Sequence, residues 1–305
     1  MLSAPDGRTP RPKACVIGGA GFLGSHVADA LTRSGWDVRI YDRRPSRWLS
    51  EGQEMILGSL DSPGELAAAV HGCDAVFHFA GMSDLDAARE SPVDAAEHNV
   101  LGTARALDAC RRAGVRRFLY ASTMYAYSRE GGFYRCSKQA AELFVEEFGR
   151  SFGMEFVILR FGSVYGPRSD ESNGLYRLVR SALANGTLSY AGNPDAVREY
   201  IHVNDVADAC LDALGDSFRN QCIIITGRES TPVRELALIL AEILDLPGHG
   251  LRFVDEGRAG HYVRTPYADM PRLAHKYTPA LFVDLGQGLL QLVEYVRDRE
   301  REGGV

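Results

Sequence analysis

The sequence predicts an α/β protein built on a doubly wound parallel sheet, with a smaller mixed α/β portion toward the C-terminus. Three observations carry this. Short apolar runs alternate with amphipathic helical stretches through the first half of the chain. Strands alternating with helices in this way call for a parallel sheet covered on both faces. The chain has 305 residues, longer than one core needs, and after about residue 166 the alternation loosens.

Taken in order, ACVIGG reads as a buried strand and GFLGSHVADALTRSG as a helix ending near Gly35. DVRIYDR and MILGSL are the second and third strands. SPGELAAAVHG is a helix opened by Ser62 and Pro63, a cap and first-turn pair. DAVFHFAG is a fourth strand, PVDAAEHNVLGTARALDACRRAG one long helix, and RRFLYAS a fifth strand. KQAAELFVEEFGRSFG is a helix and EFVILRFG a sixth strand. Beyond the loop YGPRSDESNG come a helix in LYRLVRSALANG, a stretch that begins extended and turns helical in REYIHVNDVADACLDALG, and the strand QCIIITG. A helix with Thr231 and Pro232 at its start and a charged closing helix complete the chain. Residues 1–12, rich in Pro, Arg and Gly, read as a disordered arm. The first domain is expected over 13–166 with return segments near 196–226, and the second over 167–195 and 227–305.

The hydrophobic content of 45% supports a well-buried core, and the net charge of −6 argues against a nucleic-acid binder. No apolar run spans a bilayer and the N-terminus is no signal peptide, so a cytoplasmic protein is expected. The six cysteines form no Cys-x-x-Cys pair and read as small hydrophobes in a reducing compartment. The histidines have no metal-ligand spacing, and no metal site is expected.

GGAGFLG, Gly18 to Gly24, follows a strand and opens a helix. Gly19, Gly21 and Gly24 fit G-x-G-x-x-G; Gly18, Gly21 and Gly24 fit a seven-residue variant of it. Glycine permits the tight turn and the approach of a pyrophosphate to the backbone, where a helix N-terminus offers free N–H groups. Asp42 ends the next strand, where a carboxylate holds a ribose 2′-hydroxyl and repels a 2′-phosphate. NAD is therefore expected, with Arg43 and Arg44 leaving NADP as the alternative.

Chemistry is expected in YASTMYAYSREGGFYRCSK, Tyr120 to Lys138. Of its four tyrosines only Tyr134 has a lysine four residues on, one helical turn away on the same face. A phenol of pKa about 10 is a poor base. A nearby ammonium and a bound pyridinium lower that value, and the phenolate can then take a proton from an alcohol. Thr123 is placed to hydrogen-bond the same oxygen. Tyr120 reads as core, and Tyr125 and Tyr127 as pocket wall or packing.

These pieces, with VFHFAG, NVLGTARALDAC, LRFGSVYGPR, REYIHVNDVADA and a late GRAG…YADMPRL, resemble the extended short-chain dehydrogenase/reductase family, the NAD-dependent epimerases and dehydratases of nucleotide sugars. The resemblance runs from Lys13 to about Arg297. It implies a Rossmann-type domain holding NAD through Gly18, Gly21, Phe22, Leu23, Gly24, Asp42 and Arg43. It adds Ser59 and Leu60 at the adenine, Phe79, Ala80 and Gly81 beside the ribose and pyrophosphate, and Asn99 in the helix behind. Thr123, Tyr134 and Lys138 match the family's catalytic hydroxyl, base and lysine. Met82, Met124 and Ser163 fall at the substrate, and Arg198 and Arg258 match arginines that clamp its diphosphate. A homodimer is implied by the resemblance.

The sequence departs from the family's pattern at four places. Only SREGGF separates Tyr127 from Tyr134, where relatives carry a longer loop. Ser163 replaces an asparagine, and His261 stands where an acid is common. Thr123 is followed by Met124 and Tyr125 in place of the carboxylates of dehydratases or the Ser-Glu of decarboxylases. The expected activity is an NAD-dependent epimerase of a nucleotide-diphosphate sugar. A dehydratase or decarboxylase, a ketoreductase, and a cofactor-holding scaffold remain as alternatives. Retention of both Tyr134 and Lys138 speaks against the scaffold.

Overall fold

The structure, a computed structural model, describes residues 11–246, 250–254, 263 and 274–303. Six strands form as the apolar runs indicate: β1 (Lys13–Ile17), β2 (Asp37–Asp42), β3 (Gln53–Leu57), β4 (Ala75–His78), β5 (Arg117–Thr123) and β6 (Glu155–Phe161). The strands Gln221–Ile225 and His275–Tyr277 extend the sheet beyond β6. From one edge the order is His275–Tyr277, Gln221–Ile225, β6, β5, β4, β1, β2, β3, and every pairing is parallel. The edge strand His275–Tyr277 comes from within the 227–305 segment, so the C-terminal part also completes the central sheet.

Parallel pairing demands cover on both faces. On one face α1 (Phe22–Arg33) packs with the helix Val203–Asp212, through Val27, Ala28 and Leu31 against Val206, Ala209 and Cys210. The other face carries α2 (Pro63–Val70) and the helices Gly102–Ala113 and Gly132–Phe152, joined by Leu66, Val70, Leu107, Cys110, Ala141 and Val145. A separate core lies beyond the sheet, where the helices Gly174–Asn185, Val233–Ile243 and Leu285–Arg301 meet through Leu178, Val179, Leu236, Leu240, Leu289 and Val293. Each burial of a leucine or valine there contributes about 1.5–3 kcal/mol.

Three local expectations need correction. The long helix is interrupted: Pro92–Ala96 and Gly102–Ala113 are joined by a π-helical turn at Glu97–Leu101. Ser62 is the residue before α2, yet its side chain makes no cap hydrogen bond; Pro63 supplies the start. Thr231 and Pro232 pair as a short antiparallel bridge with Arg198 and Val197, and the helix begins at Val233. Among the described residues no helix is long and apolar enough to cross a membrane. All six cysteines are free, and Cys136 alone among them is exposed.

The chain runs outward from β1 through β2 to β3, then returns to β4 and runs the other way. The crevice between the carboxyl ends of β1 and β4 is where an open α/β sheet accepts a ligand.

Candidate active site

A cavity of about 630 Å³ opens at that crevice, within the range that holds a cofactor or small ligand. One end is lined by Gly18, Gly21, Phe22, Leu23, Gly24, Asp42, Arg43, Ser59 and Leu60. The glycine loop is tight. A Cβ on Gly18 would lie 2.5 Å from the Ala80 nitrogen, and one on Gly24 2.3 Å from the Gly18 carbonyl oxygen. Gly21 differs. Its φ is an ordinary −81°, and a Cβ there would meet only the Gly18 oxygen, at 3.4 Å. Packing within the protein therefore does not require glycine at 21, whereas a ligand pressed against that backbone would. Gly21 precedes α1, whose first N–H groups and positive dipole end face the cavity. The Asp42 carboxylate is fixed above the loop by accepting from the Ala20 and Arg44 amides, both at 3.1 Å. A pyrophosphate cradle beside a carboxylate fits the NAD expected from the sequence.

Phe79, Ala80, Gly81 and Met82 continue the lining to the other end, where Thr123, Tyr134 and Lys138 converge. Thr123 closes β5, and Tyr134 and Lys138 share the helix Gly132–Phe152, which starts earlier than expected. All three are buried. Burial pushes the Tyr134 phenol up to about 12, and its hydrogen bond with Thr123 pulls the other way. Burial pushes Lys138 down to about 8, and Glu142 one turn on opposes that. The Lys138 ammonium donates to the Ala121 carbonyl oxygen at 2.7 Å and sits 4.8 Å above the Tyr120 ring. Lys138 is not among the groups that shift the Tyr134 phenol. Burial dominates, and a positive charge brought close to the phenol would oppose it.

Beneath this end Glu142 and Arg160, both fully buried, form a bidentate ion pair, and Ser122 donates to the same carboxylate. Asn99 is not simply behind the cofactor pocket. Its side chain accepts from the Met82 amide at 2.8 Å and donates to the Met82 carbonyl and to Ser137, each at 2.9 Å. The π-helical turn carries this residue, and such turns commonly re-aim a side chain at functional positions. Asn99 thereby ties the loop after β4 to the helix that bears Tyr134.

The remaining expected residues are placed as follows. Tyr120 is core, as read. Tyr125 stacks edge-on against Tyr134 with centroids 6.4 Å apart, and the side chain of Tyr127 lies outside the described residues. Met124 is buried, Ser163 pairs with Tyr200, Arg198 pairs with Thr231, and none of the three lines the cavity. Arg258 and His261 fall outside the described residues. The structure adds cavity-lining residues that sequence reasoning missed, among them Ser83, Glu97, His98, Asp170, Ser172 and Asn173. Asn173 had a readable signal. It precedes LYRLVRSALAN, and its side chain accepts from the Leu175 and Tyr176 amides as an N-cap.

Fold and cavity together define a Rossmann-type protein with a glycine-loop crevice leading to a buried Thr–Tyr–Lys group. The model of the NAD dependent epimerase/dehydratase family matches residues 14–223, and the chain belongs to that family. A dTDP-glucose 4,6-dehydratase of an Actinoplanes species is 26% identical, the match covering 93% of this chain and 98% of that one. The crystal structure of a UDP-glucose 4-epimerase with UDP-glucose from Thermotoga maritima superposes with a TM-score of 0.80 at 25% identity, covering 94% of this chain and 99% of that one. A Thermus thermophilus UDP-glucose 4-epimerase in complex with NAD gives a TM-score of 0.77 at 26% identity, covering 96% and 100%.

Proposed function

We propose that the protein is an NAD-dependent epimerase of a nucleotide-diphosphate sugar, working through a transient 4-keto sugar. The observation that carries this is the buried group Thr123, Tyr134 and Lys138 at the end of a glycine-loop cavity, followed by no acidic pair. After Thr123 come Met124, which is buried, and Tyr125, which packs on Tyr134; neither delivers protons for water loss. NAD held by the glycine loop and Asp42 would supply a reversible hydride acceptor for the sugar carbon. Tyr134 removes the proton from the sugar 4-hydroxyl and later returns it. Thr123 orients the same oxygen, and Lys138, buried beside them, holds its positive charge close by. The sugar diphosphate meets the N-terminus of the helix Gly174–Asn185, whose capping Asn173 lines the cavity. In this reading Arg198 and Arg258 keep the role the resemblance implies, as cations for the sugar diphosphate.

The alternative with a specific observation behind it is a dehydratase. Glu97 and Asp170 line the same cavity, and one relative of nearly full coverage is a dehydratase. The experiment is to incubate the protein with UDP-glucose and related nucleotide sugars and follow both product and cofactor. An epimerase yields the 4-epimer with no net change in reduced-cofactor absorbance. A 6-deoxy-4-keto product overturns the reading in favour of the dehydratase, and stoichiometric cofactor turnover in favour of a reductase. The reading includes a homodimer joined through the face where Leu143 and Phe144 stay exposed, which light scattering reads directly: a monomer at assay concentration contradicts it.

A further inference from the structure

We propose that Arg168 is a latch that keeps the dinucleotide resident, by tying together the two walls between which it would leave. One wall is the exit of β2, where Asp42 and Arg43 line the cavity and the chain runs on to Trp48 and Ser50. The other is the segment after Tyr165, where Asp170, Ser172 and Asn173 line the same cavity. Arg168 sits in that second wall. Its guanidinium donates to the Asp29 carboxylate of α1 at 2.7 Å, and lies 4.8 Å over the ring of Trp48. Asp29 also accepts from Ser50 at 3.0 Å and Gln53 at 2.9 Å. One carboxylate therefore gathers both walls onto α1, the helix whose N-terminus faces the pyrophosphate site. His26, one turn along α1 from the cavity-lining Phe22, adds a bond to the Pro167 carbonyl at 3.0 Å.

Two features argue that stability alone does not account for Arg168. Its φ is +65°, a conformation costly for a residue with a side chain. Its Nη1 is buried with no hydrogen-bond partner among the described residues. Strain of this kind persists where the surrounding structure uses it. The geometry also suits arginine in particular: a planar cation stacks on an indole while its fork engages a carboxylate, which lysine cannot do in one pose. A resident cofactor is what the proposed reaction needs, because the carbon that is oxidised is the one that must be reduced.

The inference rests on the proposed function, and its test separates the two. Dissociation of NAD is followed by exchange of isotopically labelled NAD from the holoprotein with no sugar present. Arg168→Gly keeps the backbone conformation that φ favours, and Arg168→Lys keeps the charge. Trp48→Leu removes the ring. The latch predicts at least ten-fold faster exchange for Arg168→Gly and Trp48→Leu and a smaller acceleration for Arg168→Lys. The control Arg112→Ala, in an exposed helical ion pair with Asp108, should leave exchange at the parent rate. A merely structural arginine would lower the melting temperature of these variants without moving the exchange rate, and that result overturns the latch alone. Failure of the parent protein to hold any NAD overturns the functional reading and the latch with it.

Discussion

The two ends of the cavity are built from different materials. The dinucleotide end is backbone: glycine Cα atoms, the amides opening α1, and one carboxylate fixed by two further amides. The reaction end is buried ionisable side chains whose properties depend on what surrounds them. Tyr134 is pushed up to about 12 and Lys138 down to about 8, mainly by loss of water. Backbone amides do not titrate, and where glycines pack on backbone, as at Gly18 and Gly24, an added atom has no room. Side-chain sites tolerate changes of shape yet respond to every neighbouring charge.

The sharpest way to break the comparison is at the glycines. At Gly24 an added Cβ meets backbone at 2.3 Å, whereas at Gly21 the protein leaves room. Gly24→Ala should abolish cofactor binding and lower stability by several kcal/mol, because backbone cannot step aside. Gly21→Ala should melt within a few degrees of the parent while weakening NAD by about 100-fold, roughly 3 kcal/mol of lost approach. Thermal melts with NAD titrations check both. Equal effects at the two positions would mean that Gly21 serves the turn and not a ligand.

A smaller effect joins the two ends. His26 lies against the dinucleotide end and His78 beneath the reaction end, with His202 between the sheet and the C-terminal core. Burial lowers His26 and His202 to about 4 and His78 to about 3; Arg168 adds to this at His26, and Lys138 at His78. These imidazoles stay neutral in the folded state while the unfolded chain protonates near 6.5, so stability is lost as pH falls from about 6.5 toward 4. Each costs at most about 1.4 kcal/mol per pH unit. Asp205, raised to about 6 by burial, has the opposite sign over part of the window. A net loss of about 3 kcal/mol between pH 6 and 5 follows, some 5–10 °C in melting temperature. A melting temperature that stays level or rises over that step would contradict it.

The same division explains what could be read in advance. β1, β4, β5 and β6 were legible because buried parallel strands write themselves as apolar runs, β2 and β3 because short strand-like runs alternate with helices, and the glycine loop because its spacing is a property of backbone. The Tyr134–Lys138 pair was legible as helical spacing. The direction in which burial moves its pKa values was not, since no local pattern encodes desolvation. The strand His275–Tyr277 is three residues with no alternation to detect. Asn99 sat inside an ordinary helical period, and only the packed fold reveals the π-helical turn that aims it at Met82. Asp170 and Asn173 reach the cavity through a loop whose path depends on Arg168, Asp29 and Trp48, residues far apart in the chain. Ser163, Met124 and Arg198 rested on resemblance, and none of them lines the cavity.

The central claim is that the Tyr134 phenol moves the proton while the glycine-loop end independently holds the cofactor. The direct measurement is turnover and bound NAD for Tyr134→Phe, made side by side on one preparation. The account predicts turnover lower by about 10³-fold or more with NAD bound as in the parent. Near-parental turnover would contradict it, as would loss of cofactor together with activity.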